Sequence, residues 1–130
     1  MRRLATVLLA IIAVAGCSAR PLPPDSASSE VVLRAWLDAL VDGDCSATEA
    51  LELPSMRVGN GQLCGGVDVS AYRGIRGPAG TSGVEAVYHV TLTTGGDGGL
   101  SILAGDLGWF LGLERETRGP WRLAGGGTGP

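Results

Sequence analysis

Two hydrophobic periodicities divide this chain, a helical one up to about residue 56 and an alternating one after it. Between Val31 and Asp42, apolar residues recur every three or four positions and charged residues occupy the opposite side. This spacing predicts an amphipathic helix whose apolar face packs on a core. Ser28 or Ser29 can cap its start, and Gly43 can end it.

A second, shorter helix is predicted directly after the first. Ser46 and Glu49 have the spacing of a capping box, in which each side chain satisfies a backbone N–H of the first turn. Pro54 closes the segment because proline cannot continue a helix.

Apolar and polar residues alternate in the second half, which predicts strands at 67–72, 84–93, 109–117 and 121–124. Residues 100–104 form either a short strand or the start of a long bent one, with Gly105 and Gly108 marking a bend or bulge. The glycines at 95–99 predict a hairpin tip. Helices followed by an antiparallel meander indicate an α+β fold, with Trp36 buried against three aromatic residues of the strands, Tyr88, Trp109 and Trp121.

A short apolar run near the N-terminus ends in a cysteine. Arg2 and Arg3 precede the twelve uncharged residues Leu4–Ala15, too few to span a bilayer but typical of a signal-peptide core. The segment Val14-Ala15-Gly16-Cys17 resembles the lipobox of bacterial lipoproteins. That resemblance implies cleavage after Gly16 and a diacylglyceryl thioether on Cys17, which places the protein on the extracytoplasmic face of the cell membrane. The alternatives are an ordinary signal peptide or a short buried helix.

These features predict four regions. Residues 1–16 form the signal peptide, 17–29 the lipidated N-terminus with a Pro/Ser tether, 30–127 a single domain and 128–130 a flexible tail. If fully extended, the tether from Ser18 to Ser29 reaches on the order of 35–40 Å at ~3.1 Å per residue. We therefore expect the domain to lie just off the outer face of the membrane.

Charge and cysteine content narrow the setting further. Without Arg2 and Arg3 the chain has eight basic and thirteen acidic residues, a net charge of −5, so it has no electrostatic basis for binding nucleic acid. All basic residues are arginine and 22 residues are glycine, which suggests a GC-rich genome such as that of an actinobacterium. With Cys17 committed to lipid, Cys45 and Cys64 form an even pair in an oxidising compartment and are expected to be bridged. Metal ligation or a redox couple is the alternative, but metal needs more ligands and redox pairs are usually spaced two apart.

The order of the elements resembles small lipoproteins of the nuclear transport factor 2-like (cystatin-like) superfamily. The similar parts are the opening helix Val31–Cys45, the short helix after it, and a strand-rich half that ends in Gly119–Leu123, so the resemblance covers about residues 29–127. It implies a cone, in which a curved antiparallel sheet wraps the long helix and leaves a pocket at its open end. It implies no single activity, because such folds host enzymes, ligand binders and adaptors.

Few side chains suggest chemistry. His89 is the only histidine and falls on the solvated side of its strand. Chemistry like that of ketosteroid isomerase needs an acid acting as base and a donor such as tyrosine in an apolar pocket, for which Asp106 and Tyr88 are the candidates. Trp36 and Trp109 could line the same pocket. A turn aspartate and core aromatic residues are the simpler interpretation.

We therefore expect a lipid-anchored domain that binds a small apolar ligand or an envelope protein, without catalysis, cofactor or metal. A lyase or isomerase with an acid in the cone is one alternative, and a structural assembly partner is another. The lining of the cone separates these hypotheses. A dry cavity favours a ligand, converging acids and tyrosines favour an enzyme, and a filled interior with an exposed apolar patch favours a protein partner.

Overall fold

The computed structural model describes residues 20–59, 63–80, 82–96 and 102–128, without the side chains of 57–59. The predicted signal peptide, Cys17 and the last two residues lie outside these ranges. Four helical segments precede four strands: α1 Ser29–Val41, α2 Cys45–Ala50, α3 Pro54–Gly59, α4 Leu63–Gly66, β1 Val69–Ala79, β2 Glu85–Gly95, β3 Ala104–Glu114 and β4 Arg122–Gly127. The strands form one antiparallel sheet in the order β1-β2-β3-β4. The α+β class is therefore confirmed, with short helices beside an open sheet.

Helix α1 begins and ends where its sequence allows. The Ser28 side chain accepts a hydrogen bond from the Val31 N–H, as expected of an N-cap. At the other end, Gly43 adopts a φ of +70°, its N–H donates to the Leu40 carbonyl, and the Asp44 N–H donates to the Ala39 carbonyl. These two bonds form a Schellman motif, which satisfies carbonyls that the end of the helix would otherwise leave unpaired.

The N-cap of the second helix lies two residues earlier than expected. Asp44 is its N-cap, with a side chain that accepts from the Ala47 N–H at 3.1 Å, so the predicted capping box at Ser46 is wrong. Asp44 directly precedes the first helical residue, so its side chain can accept from the free N–H groups of the first turn. Ser46 lies inside that turn. Pro54 does follow this helix, but it also begins the unpredicted helix α3, because proline is well suited to a first helical position.

The predicted disulfide is confirmed. Cys45 and Cys64 are bonded, with Cα atoms 5.5 Å apart, and the bridge joins α2 to the helical turn α4. Closing a loop of this length stabilises the fold by roughly 3 kcal/mol in the chain-entropy model.

The core lies between the helices and one side of the sheet, which we call the inner face. Tyr88 and Trp109 from the strands and Trp36 from α1 belong to one buried cluster that also includes Trp121, as the sequence predicted. Burial of each large apolar side chain contributes about 1.5–3 kcal/mol, so this cluster is the main source of stability. Its other members from α1 and the strands are Val32, Leu33, Leu37, Leu40, Val69, Ala86, Val90, Leu92, Leu111, Leu113 and Leu123.

Strand β1 differs from its prediction in length and in face. A register shift between Val69 and Ala71 opposes extra β1 residues to β2, so the side-chain alternation changes sides there. Ala71, expected to share the buried side of Val69, is exposed, and Tyr72 is half-buried instead. Two further shifts follow, one spanning Gly74 and the other Gly77, which have φ values of +66° and +132°. Such irregularity protects an edge strand from pairing with other chains.

Strands β2 and β3 form a long hairpin with continuous register from Glu85–Glu114 to Gly95–Ala104. The bulge predicted at Gly105 or Gly108 is therefore wrong for this pair of strands. A glycine at position 108 is explained by a close approach instead. A Cβ built there would lie 2.9 Å from Nε2 of His89 on the neighbouring strand. The shift in β3 pairing lies instead between Gly112 and Leu113, opposite β4.

Residues 20–28, which fall in the predicted tether, lie against the domain. Arg20 forms an ion pair and hydrogen bond with Asp42, just after α1. Ala27 packs on the core, and its N–H donates to the Pro24 carbonyl in a turn that leads into α1. The segment therefore contacts the domain at both of its ends, and only residues 17–19 of the predicted tether lie outside the described ranges.

Strand β4 approaches the core through a glycine. A Cβ built at Gly126 would lie 2.9 Å from both the Trp109 Nε1 atom and the Phe110 carbonyl oxygen. Neither the indole in the packed interior nor the strand backbone can give way freely. Gly127, one residue on, has no atom within 4 Å of the same position.

We therefore expect Gly126→Ala to destabilise the protein by about 1–3 kcal/mol through overpacking. The matched variant Gly127→Ala should change the free energy of unfolding by less than about 0.5 kcal/mol or raise it slightly. Chemical denaturation of both variants measures the difference. Equal stability of the two would contradict the close packing of β4 on Trp109.

Candidate functional site

The four residues predicted to line a pocket lie on two sides of the sheet. Trp36, Tyr88 and Trp109 are in the core, where Tyr88 is 2% exposed. Asp106 lies on the side that faces away from the helices, which we call the outer face, and is exposed. The sheet separates Asp106 from Tyr88, so the structure does not bring this acid and this tyrosine together.

Two of the three buried aromatic residues use their polar atoms for hydrogen bonds within the domain. The Tyr88 hydroxyl is 2.7 Å from the Ser29 hydroxyl at the start of α1. The Trp36 Nε1–H donates to Glu52 at 2.8 Å. The Trp109 Nε1–H is buried without a hydrogen-bond partner among the described residues. These contacts are those of structural core residues.

The outer face carries side chains that the core does not use. It consists of alternate residues of the two central strands and of arginines on β1: Val87, His89, Thr91, Thr93, Asp106, Gly108, Phe110, Gly112, Arg73 and Arg76. Inner-face residues of β2 are buried, whereas outer-face residues of this strand are half-buried or exposed. Val87 is 39% exposed and Phe110 38% exposed, so this face combines polar groups with accessible apolar surface.

The half of the outer face next to β1 is a hydrogen-bonded polar cluster. Arg73 donates to Asp106 at 2.8 Å, and the Thr93 hydroxyl donates to the same carboxylate at 2.7 Å. These two hydrogen bonds, led by that of Arg73, hold the pKa of Asp106 below its ordinary range. An acid with a lowered pKa is a weak base, so Asp106 is poorly suited to abstract a proton.

His89 connects the polar cluster to the apolar half. One of its ring nitrogens, Nδ1, is 3.0 Å from a guanidinium nitrogen of Arg76. On its other side, the imidazole meets the Phe110 ring edge-on, with ring centroids 5.0 Å apart. His89 was expected on the solvated side of its strand. It does lie on the outer face, where it is half-buried.

The half next to β4 is an apolar groove with one acidic end. Val87, Phe110 and Gly112 line a groove of about 540 Å³, together with Glu85, Glu114 and residues 124–128. Three successive glycines in β4 put bare backbone along one side of it. An extended or helical segment could therefore lie beside the Phe110 ring without meeting side chains from β4.

Two glutamates at one end of this groove face each other. Glu85 and Glu114 are directly opposite in the β2–β3 register. Neither carboxylate has an ion-pair partner among the described residues. Two cations lie nearby. Arg122 is directly opposite Glu114 in the β3–β4 register and donates to the Trp121 carbonyl, whereas Arg115 lies over the Trp121 ring at 4.6 Å and donates to the Gly83 carbonyl. Like charges directly opposite across strands are unfavourable, and a cation placed between them would relieve the repulsion.

Sequence analysis did not select the residues of this groove. The outer positions of the alternating run 84–93 contain glutamate, histidine and threonines, but also the apolar Val87. Phe110 likewise occupies an outer position between Trp109 and Leu111. Both residues are apolar at positions where the alternation predicts polar side chains, and this exception could have marked them. That they come together on one surface depends on how the strands are paired, which the sequence does not show.

Two general features of the described ranges bear on function. No helix there is both long and apolar enough to cross a membrane. In the same ranges, no group of three or more His, Cys, Asp or Glu side chains could hold a metal ion.

In comparisons with known proteins, no family model, curated protein or solved structure matches this chain.

The ion pair on the outer face predicts a specific pH dependence. Because the pKa of Asp106 is lowered in the folded state, its pairing stabilises the fold above the ordinary carboxyl pKa. This contribution is lost as the pH falls through the lowered value. Arg73→Gln should raise the pKa of Asp106 and reduce this part of the acid dependence.

Carboxyl-carbon NMR titration measures the pKa directly. Arg76→Gln is the control, because Arg76 contacts His89 and not Asp106. An unchanged Asp106 midpoint in Arg73→Gln, or an equal shift in both variants, would contradict the assigned pairing.

Proposed function

We propose that this chain is a lipid-anchored lipoprotein of the bacterial cell envelope, on the extracytoplasmic face of the membrane. Its domain has a nuclear transport factor 2-like fold and binds another envelope protein without catalysis. The outer face of the sheet, around Phe110, is the binding surface.

The anchor is supported mainly by the lipobox resemblance at Cys17. The disulfide between Cys45 and Cys64 uses the other two cysteines of the chain, so Cys17 is the one that remains for lipid. A structural disulfide also suits an oxidising, exported setting. Two acyl chains on one residue meet the requirement for stable anchoring.

The fold assignment is supported by the order and placement of elements. A 13-residue helix opens the domain, short helices follow, and an antiparallel sheet packs on them through one face. The order of helix, short helices and strands is the part of the resemblance that supports this assignment. The interior of the domain is occupied by aromatic and aliphatic side chains, among them Trp36, Trp109 and Trp121.

A protein partner fits the outer face better than a small apolar ligand does. Small-molecule sites are concave and enclose most of their ligand, whereas the groove beside Phe110 is open along the sheet surface. Exposed aromatic side chains beside polar groups are typical anchors of protein interfaces. Glu85 and Glu114, which form no ion pair within the described ranges, add a preference for a partner segment that carries a cationic side chain flanked by apolar ones.

Lipid attachment predicts the behaviour of a cysteine variant. Cys17→Ser should leave the membrane fraction, because the unmodified residue supplies no acyl chain. Fractionation of cells and the mass of the N-terminal peptide measure this. Cys45→Ser serves as the control, since it removes a cysteine but leaves the lipobox unchanged. Membrane retention of Cys17→Ser, or an unmodified Cys17 in the wild type, would contradict the anchor.

Partner binding predicts crosslinking that depends on position and charge. A photoreactive amino acid at Phe110 of the lipidated protein should give one discrete crosslinked product in intact cells. The same group at the exposed Val31, on α1 at the other side of the sheet, should not. Replacing both Glu85 and Glu114 by glutamine should reduce the product several-fold, because it removes the attraction for the partner's cation. Equal crosslinking from both positions, or no effect of the charge change, would contradict this surface.

A further inference from the structure

The outer face carries opposite net charges at two places along its strands. At the first place Glu85 and Glu114 are opposite each other, and Arg122 of β4 is opposite Glu114. We call these three residues the acidic row. Within the described ranges neither glutamate forms an ion pair, and Arg122 donates to the Trp121 carbonyl. With two acids and one cation, the row has a net negative charge.

The second place is on the β1 side of the face, where two arginines oppose residues of β2. Arg73 is neutralised by Asp106 at 2.8 Å. Arg76, opposite His89, is exposed and forms no ion pair within the described ranges. Its guanidinium makes one hydrogen bond, to the Nδ1 atom of His89 at 3.0 Å. Arginine has several N–H donors, so the charge and most of the donors of Arg76 are left for an anion.

His89 holds Arg76 in place. Because arginine only donates, Nδ1 accepts this bond, and in the neutral ring the proton is on Nε2. The imidazole is itself positioned by the edge-on ring of Phe110 and by the close approach of Nε2 to the backbone at Gly108. A side chain that is already positioned loses less conformational freedom when it binds a partner.

Uncharged surface separates Arg76 from the acidic row. Val87 lies between them on β2, with Ala79 opposite it on β1 and Gly112 opposite it on β3. The exposed ring of Phe110 lies beside this surface. A segment that reaches from the acidic row to Arg76 therefore crosses a patch that suits an apolar side chain.

The spacing of these features matches an extended chain. Glu85 and His89 are four residues apart on β2, which is about 13 Å at ~3.3 Å per residue, and Val87 is midway. In an extended partner, alternate side chains point to the same face and repeat at the same interval. Three alternate side chains of such a partner would therefore meet the acidic row, the apolar patch and Arg76 in turn.

We propose that the partner binds as an extended segment along β2, with a cationic side chain at the acidic row and an acidic side chain, four residues away, paired with Arg76. An apolar side chain midway between them covers Val87. This inference rests on the proposed partner surface and adds a second charge and a direction. Because the two ends of the surface differ in sign, the reversed segment would bring like charges together, which disfavours it.

The test uses the full chain in intact cells, with a photoreactive amino acid at Val87, a position that leaves the contacts of His89 unchanged. Three variants separate the roles of Arg76. Arg76→Lys keeps the charge, Arg76→Gln keeps an N–H donor without the charge, and Arg76→Glu reverses the charge. Arg34→Gln is the matched control, because Arg34 is also exposed but lies on α1, paired with Glu30. Thermal unfolding of each purified variant checks that the fold is retained.

The yield of the crosslinked product should fall several-fold in Arg76→Gln and further in Arg76→Glu, and should stay within about twofold of wild type in Arg76→Lys and Arg34→Gln. In the product, tandem mass spectrometry should find a cationic and an acidic residue on either side of the attachment site, four positions apart. An undiminished yield in Arg76→Gln, or equal losses in Arg76→Lys and Arg76→Gln, would overturn the role of this charge.

The product also separates this inference from the proposed surface. If the product forms and depends on Glu85 and Glu114 but not on Arg76, only this inference fails. If neither Val87 nor Phe110 gives a product, the proposed surface fails with it. A product with twice the mass of the chain would show a second copy on this face and would overturn the partner segment.

Discussion

The packing of α1 on the inner face of the sheet is the interaction on which the other features depend. Trp36 and its neighbours on α1 fill the space over β2 and β3, and Tyr88 is tied to the first residue of the helix. Because these residues occupy the interior, large apolar side chains on the other side of the sheet cannot join that core. Val87 and Phe110 therefore stay accessible, and the accessible surface becomes the place where binding can occur.

Several local interactions near the C-terminal end of α1 hold the neighbouring chain in place. A Schellman motif at Gly43 turns the backbone directly into the N-cap of α2, and the disulfide then joins α2 to the start of the strand region. The ion pair of Arg20 with Asp42 uses the same corner of the molecule. These constraints are concentrated at the end of the domain where α1 meets α2.

Elements with a regular hydrophobic period could be predicted, and those governed by backbone irregularity could not. Helix α1 and strand β2 follow uninterrupted patterns, and both lie close to their predicted ranges. In β1, a bulge after Val69 moves the buried position from Ala71 to Tyr72, and no alternation in the sequence reports an inserted residue. Asp106 and Tyr88 show why the site could not be predicted in the same way. Each residue type suits the proposed chemistry, but Tyr88 lies at an inner position of β2 and Asp106 at an outer position of β3, so they are on opposite faces of the sheet.

The central claim is that the sheet is packed on one face and open on the other. Hydroxyl-radical footprinting of the full chain, read by mass spectrometry residue by residue, compares the two faces in one sample. The account predicts strong oxidation of Phe110 and strong protection of Tyr88 and Trp36, with Tyr88 only one strand position away from the residue that pairs with Phe110. Oxidation of Tyr88 and Trp36 at rates similar to that of Phe110, after correction for intrinsic reactivity, would contradict it.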